Sequence, residues 1–265
     1  MRVSIQENLL PGRDLAEKAQ RAREYGYEGI ELWGSATFGD RMGDIRSALA
    51  NAGISAACIC AGYRGSPLAR ERRERDEAMG DIEALLAYAG ELDATGVIVV
   101  PVFGGPQVPD LHPWKDAQAM ERELLAAELP RLNEAAAKAG SLVLIEPLNR
   151  YETHFVRTVA DAAGFCGAHG HVAVMADFFH MSIEESDIAA AIAANSGHIR
   201  HVHLADSNRQ LPGHGHTDFL PGLRALAVAG YRGWMSLECG VPGRAEELLP
   251  RCAAHLRGLV EQART

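Results

Sequence analysis

The sequence predicts an α/β protein, a single (β/α)8 barrel that occupies residues 1–265 as one domain. Short apolar runs recur eight times, and each is followed by an amphipathic stretch. Strict alternation of strand and helix allows either an open doubly wound sheet or a closed barrel. The count of eight favours the barrel, as does the lack of a GxGxxG motif after the first run. No linker or low-complexity tract marks a domain boundary.

The eight apolar runs are rich in Val, Ile and Leu and show little alternation, which is typical of parallel strands buried on both faces. In chain order they are Val3–Ile5, Gly29–Trp33, Ile54–Cys60, Val97–Val102, Leu142–Leu148, Val172–Ala176, Ile199–Leu204 and Trp234–Leu237.

Amphipathic patterns between these runs predict helices. Glycine at or just after the last residue is the usual helix stop, because glycine adopts the left-handed conformation at little cost. The patterns that end in this way are Asp14–Tyr25, Met120–Ala139, Ser186–Asn195 and Arg224–Ala229. The basic stretch that begins at Arg70 alternates with Glu and indicates a solvated helix face.

Composition excludes several classes of protein. A net charge of −9 opposes a large contact with nucleic acid, which needs clustered Lys and Arg. No apolar run is long enough to span a bilayer, and residues 1–12 lack a signal-peptide pattern. Five cysteines, an odd number, predict no disulfide framework. We therefore expect a cytoplasmic protein that binds neither nucleic acid nor membrane.

Polar residues end the last four predicted strands. Glu146 follows the fifth run, Asp177 the sixth and Glu238 the eighth, and His203 lies near the end of the seventh. Because the C-terminal strand ends of such a barrel meet at one face, these side chains are expected to lie together. Three carboxylates are costly to bury unpaired, and one divalent cation would offset their repulsion. The set suits Mn²⁺ or Mg²⁺, with Zn²⁺ and Co²⁺ as alternatives.

Each residue also has a simpler explanation. An isolated acid at a strand end is more often a helix cap than a ligand, and this reading remains open for Asp177. It is weak for Glu146, because Pro147 has no N–H to be capped. His201 and His203 point to the same face of their strand. His203 is nearer the exit and is the preferred ligand, whereas His201 is expected to be a hydrogen-bonded interior residue.

Four strings carry a family resemblance: EPLNRYET from Glu146, DFFHMSIEE from Asp177, HVHLADSNR from His201 and SLECG from Ser236. Together, and in this order, they resemble the xylose isomerase-like TIM-barrel superfamily, within it the branch of ketose 3-epimerases and hydroxypyruvate isomerases. The resemblance is sharp from Glu146 to Gly240.

The resemblance implies an enzyme that moves a proton on an α-hydroxy ketone through an enediolate. It implies one divalent metal, often Mn²⁺, held by Glu146, Asp177, His203 and Glu238. The two glutamates also act as acid and base, and Glu152, His180 and Arg209 bind the substrate. The partner is then a small sugar, and the chain is expected to form a homo-oligomer, a dimer or a tetramer.

The resemblance leaves the substrate open. Family members often carry Asn where this chain has Arg157, a cation that favours an anionic substrate or pairs with a surface acid. The aromatic wall that selects the sugar is expected from the first half of the chain, from among Trp33, Phe38, Tyr63, Phe103 and Trp114. No compact phosphate cradle is apparent, so free ketoses or a small hydroxy-keto acid are favoured over phosphates.

Four alternatives remain. Hydroxypyruvate isomerase and keto-inositol dehydratase would use the same metal and a similar intermediate. An abasic-site endonuclease needs further histidines from early strands, but His112 is the only histidine before residue 154, and the charge is unfavourable. A non-catalytic sugar-binding barrel has no need of two proton-transfer acids.

Overall fold

A computed structural model describes residues 1–265 and contains a closed barrel of eight parallel strands in chain order. The predicted barrel is confirmed, and each apolar run overlaps one strand. The strands are β1 (Arg2–Gln6), β2 (Gly29–Trp33), β3 (Ser55–Cys60), β4 (Gly96–Val99), β5 (Leu142–Ile145), β6 (Val172–Asp177), β7 (Ile199–Leu204) and β8 (Trp234–Leu237). That residues 1–265 make up one domain stays a prediction.

Nine helices accompany the strands, and none is long and apolar enough to cross a membrane. There are also two short 3-10 helices. Glu7–Leu9 follows β1, and Phe38–Arg41 precedes the second α-helix. The helices are α1 (Leu15–Tyr25), α2 (Met42–Ala52), α3 (Arg72–Glu91), α4 (Ala117–Ala139), α5 (Val159–Ala163), α6 (Phe178–Glu184), α7 (Ile188–Asn195), α8 (Phe219–Val228) and α9 (Ala245–Arg264).

Aspartate caps move two helix starts away from their predicted positions. α8 begins at Phe219 rather than Arg224, because the Asp218 side chain accepts a 3.1 Å hydrogen bond from the N–H of Leu220. α4 begins three residues before the predicted Met120, because Asp116 caps it in the same way. The glycine stops after α1 and α4 are as predicted, each with a left-handed backbone.

The barrel interior changes from apolar to polar around its circumference. On the side of β3 to β6 it is filled by a small apolar cluster made of Cys58, Cys60, Ile98, Leu144, Ala173 and Met175. Both cysteines of β3, Cys58 and Cys60, are buried in this cluster. On the side of β1, β2, β7 and β8 the buried residues are polar: Ser4, Gln6, Glu31, His201, His203 and Ser236. The polar side is thus made of residues from the first two and the last two strands.

Candidate active site

Four side chains converge at the C-terminal ends of β5 to β8. Glu146 follows β5, Asp177 ends β6, His203 lies near the end of β7 and Glu238 follows β8. Their ligand-type atoms all lie within 4.8 Å of one another. Strand register explains this, because Asp177 is level with His203, and His203 is level with Ser236, two residues before Glu238. We call these four residues the acid–histidine cluster.

Asp177 uses its two carboxylate oxygens differently. Oδ1 accepts a 2.8 Å hydrogen bond from the N–H of Phe179 and so caps α6. Oδ2 faces the cluster, where Nη1 of Arg209 donates to it over 2.9 Å. The two sequence-based explanations of Asp177, helix cap and site residue, are therefore compatible.

Glu146 lies where β5 gives way to irregular backbone, and it is only 5% exposed. Its N–H still donates to the carbonyl oxygen of Val99 over 3.1 Å, but the chain then leaves the ladder at Pro147. The nearest imidazole nitrogen, Nε2 of His180, is 3.7 Å from its Oε1, beyond hydrogen-bond range. The carboxylate of Glu146 therefore remains free to act on a ligand.

The loop after β7 is shaped by Asp206. Its buried carboxylate accepts backbone N–H bonds from Ser207 at 2.8 Å, Gly213 at 2.9 Å and Thr217 at 2.9 Å. Within this loop Arg209 has a φ of +59°, a left-handed backbone that is unusual for a side-chain-bearing residue. A loop held so tightly can keep Arg209 in this strained conformation.

Arg209 projects from this loop into the cluster. Besides its bond to Asp177, its guanidinium donates to Glu238 and lies 4.5 Å above the ring of Phe179. Stacking on Phe179 fixes the plane of the guanidinium group. A sequence-predicted substrate residue is thus in contact with two members of the cluster.

His180 is buried, and hydrogen-bond donors approach both of its ring nitrogens. The backbone N–H of Asn149 can only donate, and it lies 3.1 Å from Nδ1 of His180, so Nδ1 accepts. Its Nε2 lies 3.2 Å from Nη1 of Arg209, which can only donate, and 3.6 Å from Oδ2 of Asp177. The Asn149 side chain also donates to Glu152 over 2.8 Å. Sequence reasoning missed Asn149, although it lies inside the EPLNR string.

Glu31 and Gln6 are the other residues that sequence reasoning missed. Glu31 on β2 is fully buried, and its carboxylate meets Nε2 of His201 at 2.6 Å and Nε2 of His203 at 2.9 and 3.0 Å. His201 is thus a hydrogen-bonded interior residue, as predicted. Gln6 on β1 donates to both Glu31 and Glu238, each over 2.9 Å. The sequence did carry one signal for Glu31, a charged residue within the apolar run GIELW.

Opposing effects set the protonation of these buried groups. Burial and the neighbouring charge of Glu238 raise the pKa of Glu146 well above its ordinary value. Burial also disfavours the charge on Glu238, but His203 and Arg209 hold the pKa of Glu238 at about 2. Burial opposes a charged His203, yet the carboxylates of Glu31 and Glu238 raise its pKa well above the usual range. The carboxylates of the cluster therefore attract positive charge.

The residues present fit a divalent cation. Nδ1 of His203 is buried and makes no hydrogen bond, although it lies 3.2 Å from Oε2 of Glu238. Three carboxylates of the cluster face one imidazole and one guanidinium, that of Arg209. An oxygen-rich set with one nitrogen is what Mn²⁺ and similar ions bind. An ion among these atoms would use the lone pair of Nδ1 and offset the excess negative charge.

The other sequence candidates lie farther out. Phe38 is fully buried against Tyr88, so it is not part of an aromatic wall. Arg157 is exposed, and its side chain makes no ion pair, so the choice between an anionic substrate and a surface acid stays open. The exposed aromatic residues near the mouth are Trp33 at the end of β2, Phe103 and Trp114 in the loop after β4, and Tyr151 in the loop after β5.

The fold and the site together define a class: a (β/α)8-barrel enzyme with paired glutamates and a candidate cation site at the C-terminal mouth. A family model described as the xylose isomerase-like TIM barrel matches residues 19–259. The chain belongs to this family.

Relatives narrow the class to sugar epimerases and isomerases. The chain is 31% identical over 253 residues to 3-dehydro-D-guloside 4-epimerase from Escherichia coli (strain K12), covering 93% of this chain and 94% of that protein. A ketose 3-epimerase from Arthrobacter globiformis is 27% identical over 220 residues, covering 81% of this chain and 73% of that protein. The crystal structure of 3-keto-D-glucoside 4-epimerase from E. coli superposes with a TM-score of 0.89 at 27% identity, covering 97% of this chain and 99% of that one.

Proposed function

We propose that this sugar epimerase or isomerase is metal-dependent and moves a proton on a carbon next to a ketone. The acid–histidine cluster is the observation that carries the proposal. Glu146, Asp177, His203 and Glu238 would hold one divalent cation, for which Mn²⁺ is our first choice. When bound, the cation polarises the substrate carbonyl as a Lewis acid.

Glu146 and Glu238 act as the acid and the base. They reach the mouth from different strands, β5 and β8, so they meet a bound substrate from different sides. A proton that leaves to one glutamate and returns from the other inverts the carbon, which is epimerisation. Return to the neighbouring carbon on the same face gives aldose–ketose isomerisation. Positioned acid–base catalysis of this kind contributes about 10²–10⁴-fold.

His180, Arg209 and Glu152 position the sugar. His180 presents Nε2 beside Arg209 and Asp177, while Asn149 holds its Nδ1. Arg209 offers a rigid fork of donors. Glu152, with 43% of its side chain exposed at the mouth, offers a carboxylate that accepts from sugar hydroxyls.

The substrate is proposed to be uncharged. Arg209 is already paired with two carboxylates, and one arginine in each of the loops after β2, β3 and β5 is paired as well. These pairs are Arg41 with Glu7, Arg64 with Asp81 and Arg150 with Glu184. A phosphate or carboxylate would have to break such pairs. Our first candidates for the substrate are therefore free ketoses and, by analogy with the E. coli relative, 3-keto glycosides.

Solvent-hydrogen exchange tests this proposal. The Mn²⁺-loaded enzyme is incubated in D₂O with neutral ketoses, a 3-keto glucoside, hydroxypyruvate, a keto-inositol and a ketose phosphate, and C–H exchange is followed by NMR. We expect exchange with a neutral sugar, reduced at least about 10²-fold in Glu146→Gln and Glu238→Gln. Glu261→Gln, on the exposed face of α9, is the control. Wild-type exchange in both active-site variants would refute the assignment.

Location and assembly complete the proposal. We place the enzyme in the cytoplasm and expect a dimer or a tetramer. Light scattering coupled to size-exclusion chromatography measures the oligomeric state, and a monomer at micromolar concentration would contradict it.

A further inference from the structure

Glu31 occupies an unusual place for a carboxylate, at the centre of a barrel strand with no exposure to solvent. Barrel interiors are normally filled by Val, Ile and Leu. A buried carboxylate is costly unless every lone pair is satisfied, and an apolar residue in its place is often as stable. Stability alone therefore does not account for Glu31.

The contacts of Glu31 point instead to the acid–histidine cluster. We infer that Glu31 is a positioning residue, which holds His203 so that Nδ1 faces the cation and which steadies Glu238 through Gln6. Nothing in the family strings from Glu146 onward includes it, because Glu31 comes from the first half of the chain. The inference rests on the metal site of the proposed function.

Hydrogen-bond chemistry fixes the tautomer of His203. An ionised carboxylate only accepts hydrogen bonds, so Nε2 of His203 must carry the hydrogen that points to Glu31. In neutral His203 the lone pair is then on Nδ1. That atom lies 3.2 Å from Oε2 of Glu238, with no hydrogen bond between them. Two ligands at right angles on one ion, with bonds of about 2.1 Å, are separated by about 3 Å.

Gln6 links Glu31 to a second member of the cluster, Glu238. Its Nε2 donates to Oε1 of Glu31 and to Oε1 of Glu238, each over 2.9 Å. β1 makes this possible because it pairs with β2 on one side and with β8 on the other. Glu31 therefore acts on two of the four candidate ligands, directly on His203 and indirectly on Glu238. Partners of this kind set the orientation and basicity of a metal-bound imidazole.

Glu31→Gln is the direct test, because the amide keeps the size of the side chain but brings an NH₂ group to a place where donors already converge. We expect Mn²⁺ affinity, measured by competition with a chelator, to fall about 10–100-fold. The visible spectrum of the Co²⁺-loaded protein, which reports ligand geometry, should change as well. Glu121→Gln is the matched control. Glu121 is a fully buried carboxylate that accepts from His154, outside the cluster. It should bind Mn²⁺ like the wild type.

A measurement on the unmodified protein covers the case in which Glu31→Gln does not fold. The ¹⁵N spectrum of Zn²⁺-loaded, histidine-labelled protein should show His203 with a hydrogen on Nε2 and metal on Nδ1. Metal on Nε2, or Glu31→Gln with wild-type affinity and spectrum, would overturn the inference and leave the proposed function intact. A wild-type protein that binds no divalent cation would overturn both.

Discussion

Replacing Asp206 by asparagine should loosen the loop that carries Arg209. Oδ1 of Asp206 accepts from the N–H groups of Ser207 and Thr217, and Oδ2 accepts from Gly213 over 2.9 Å. Asparagine can keep the bonds to Oδ1. Its NH₂ group then meets the N–H of Gly213, donor against donor.

The hydrogen bonds of Asp206 and the pKa shift that they cause give the size of the effect. A hydrogen bond to a charged group contributes about 1.5–3 kcal/mol. Burial favours the neutral acid, yet four backbone N–H groups lower the pKa of Asp206 from 3.8 to about 2. At about 1.4 kcal/mol per pKa unit this shift is about 2.5 kcal/mol, and the bonds to Oδ1 that asparagine keeps reduce the expected loss to about 1–2 kcal/mol. We expect Asp206→Asn to lower the free energy of unfolding by about 1–2 kcal/mol at pH 7.

The pH dependence of this loss has a definite sign. A depressed pKa in the folded state gives stability that is complete above the ordinary aspartate pKa and is lost as the pH falls toward 2. The gap between wild type and Asp206→Asn should therefore be constant from about pH 7 to about pH 5 and narrow below about pH 4.

Urea unfolding, followed by circular dichroism at several pH values, measures the difference in free energy of unfolding between the wild type and Asp206→Asn. Asp14→Asn is the control, because Asp14 is the exposed N-cap of α1 and asparagine caps a helix equally well. Equal stability of Asp206→Asn and wild type at pH 7, or a gap that widens on acidification, would refute the reasoning.

Three further predictions concern the site. Arg209→Lys keeps the charge but loses the fork that meets Asp177 and Glu238, so KM should rise about 10–100-fold. Asn149→Ala removes the amide that supports His180, so kcat/KM should fall about tenfold and stability by about 1–2 kcal/mol. Chelation of divalent ions should slow C–H exchange at least about 10²-fold, because the carbonyl loses its Lewis acid, and added Mn²⁺ should restore the rate.

The two substitutions each have a control variant. Arg150→Lys changes a fork that meets Glu184 at the surface, and its KM should equal that of the wild type. Asn133→Ala also removes a partly buried hydrogen bond, the one that Asn133 accepts from the backbone N–H of His171. Because this bond lies outside the site, the variant should lose stability and keep its kcat/KM. An unchanged KM in Arg209→Lys, full activity in Asn149→Ala, or exchange that survives exhaustive chelation would each contradict the assigned role.

The apolar runs predicted the strands well because parallel barrel strands are buried on both faces. Strand ends were less predictable. The fifth run was expected to reach Leu148, but β5 ends at Ile145, because Glu146 turns into the mouth and Pro147 cannot donate to the ladder. Helix starts depended on aspartate caps such as Asp218, which apolar periodicity does not register.

The candidate ligands could be found in the sequence because each follows an apolar run at the same end of a strand. Glu31 could not be assigned, since its partners are 170 and 172 residues away and become visible only when β2 and β7 face each other across the barrel. Asn149 was missed for the opposite reason. It acts on the backbone geometry of a short irregular segment, which no periodic pattern describes.

The hydrogen bond between Gln6 and Glu238 joins the first strand of the barrel to the residue after the last one, 232 positions apart. Ser4 and Ser236 are joined across the same seam, over 2.6 Å. During synthesis β8 is the last strand to be made, so a growing chain holds only part of the candidate ligand set until the seam closes. On the proposed mechanism, a fragment that stops before β8 lacks Glu238 and with it one of the two proton-transfer groups.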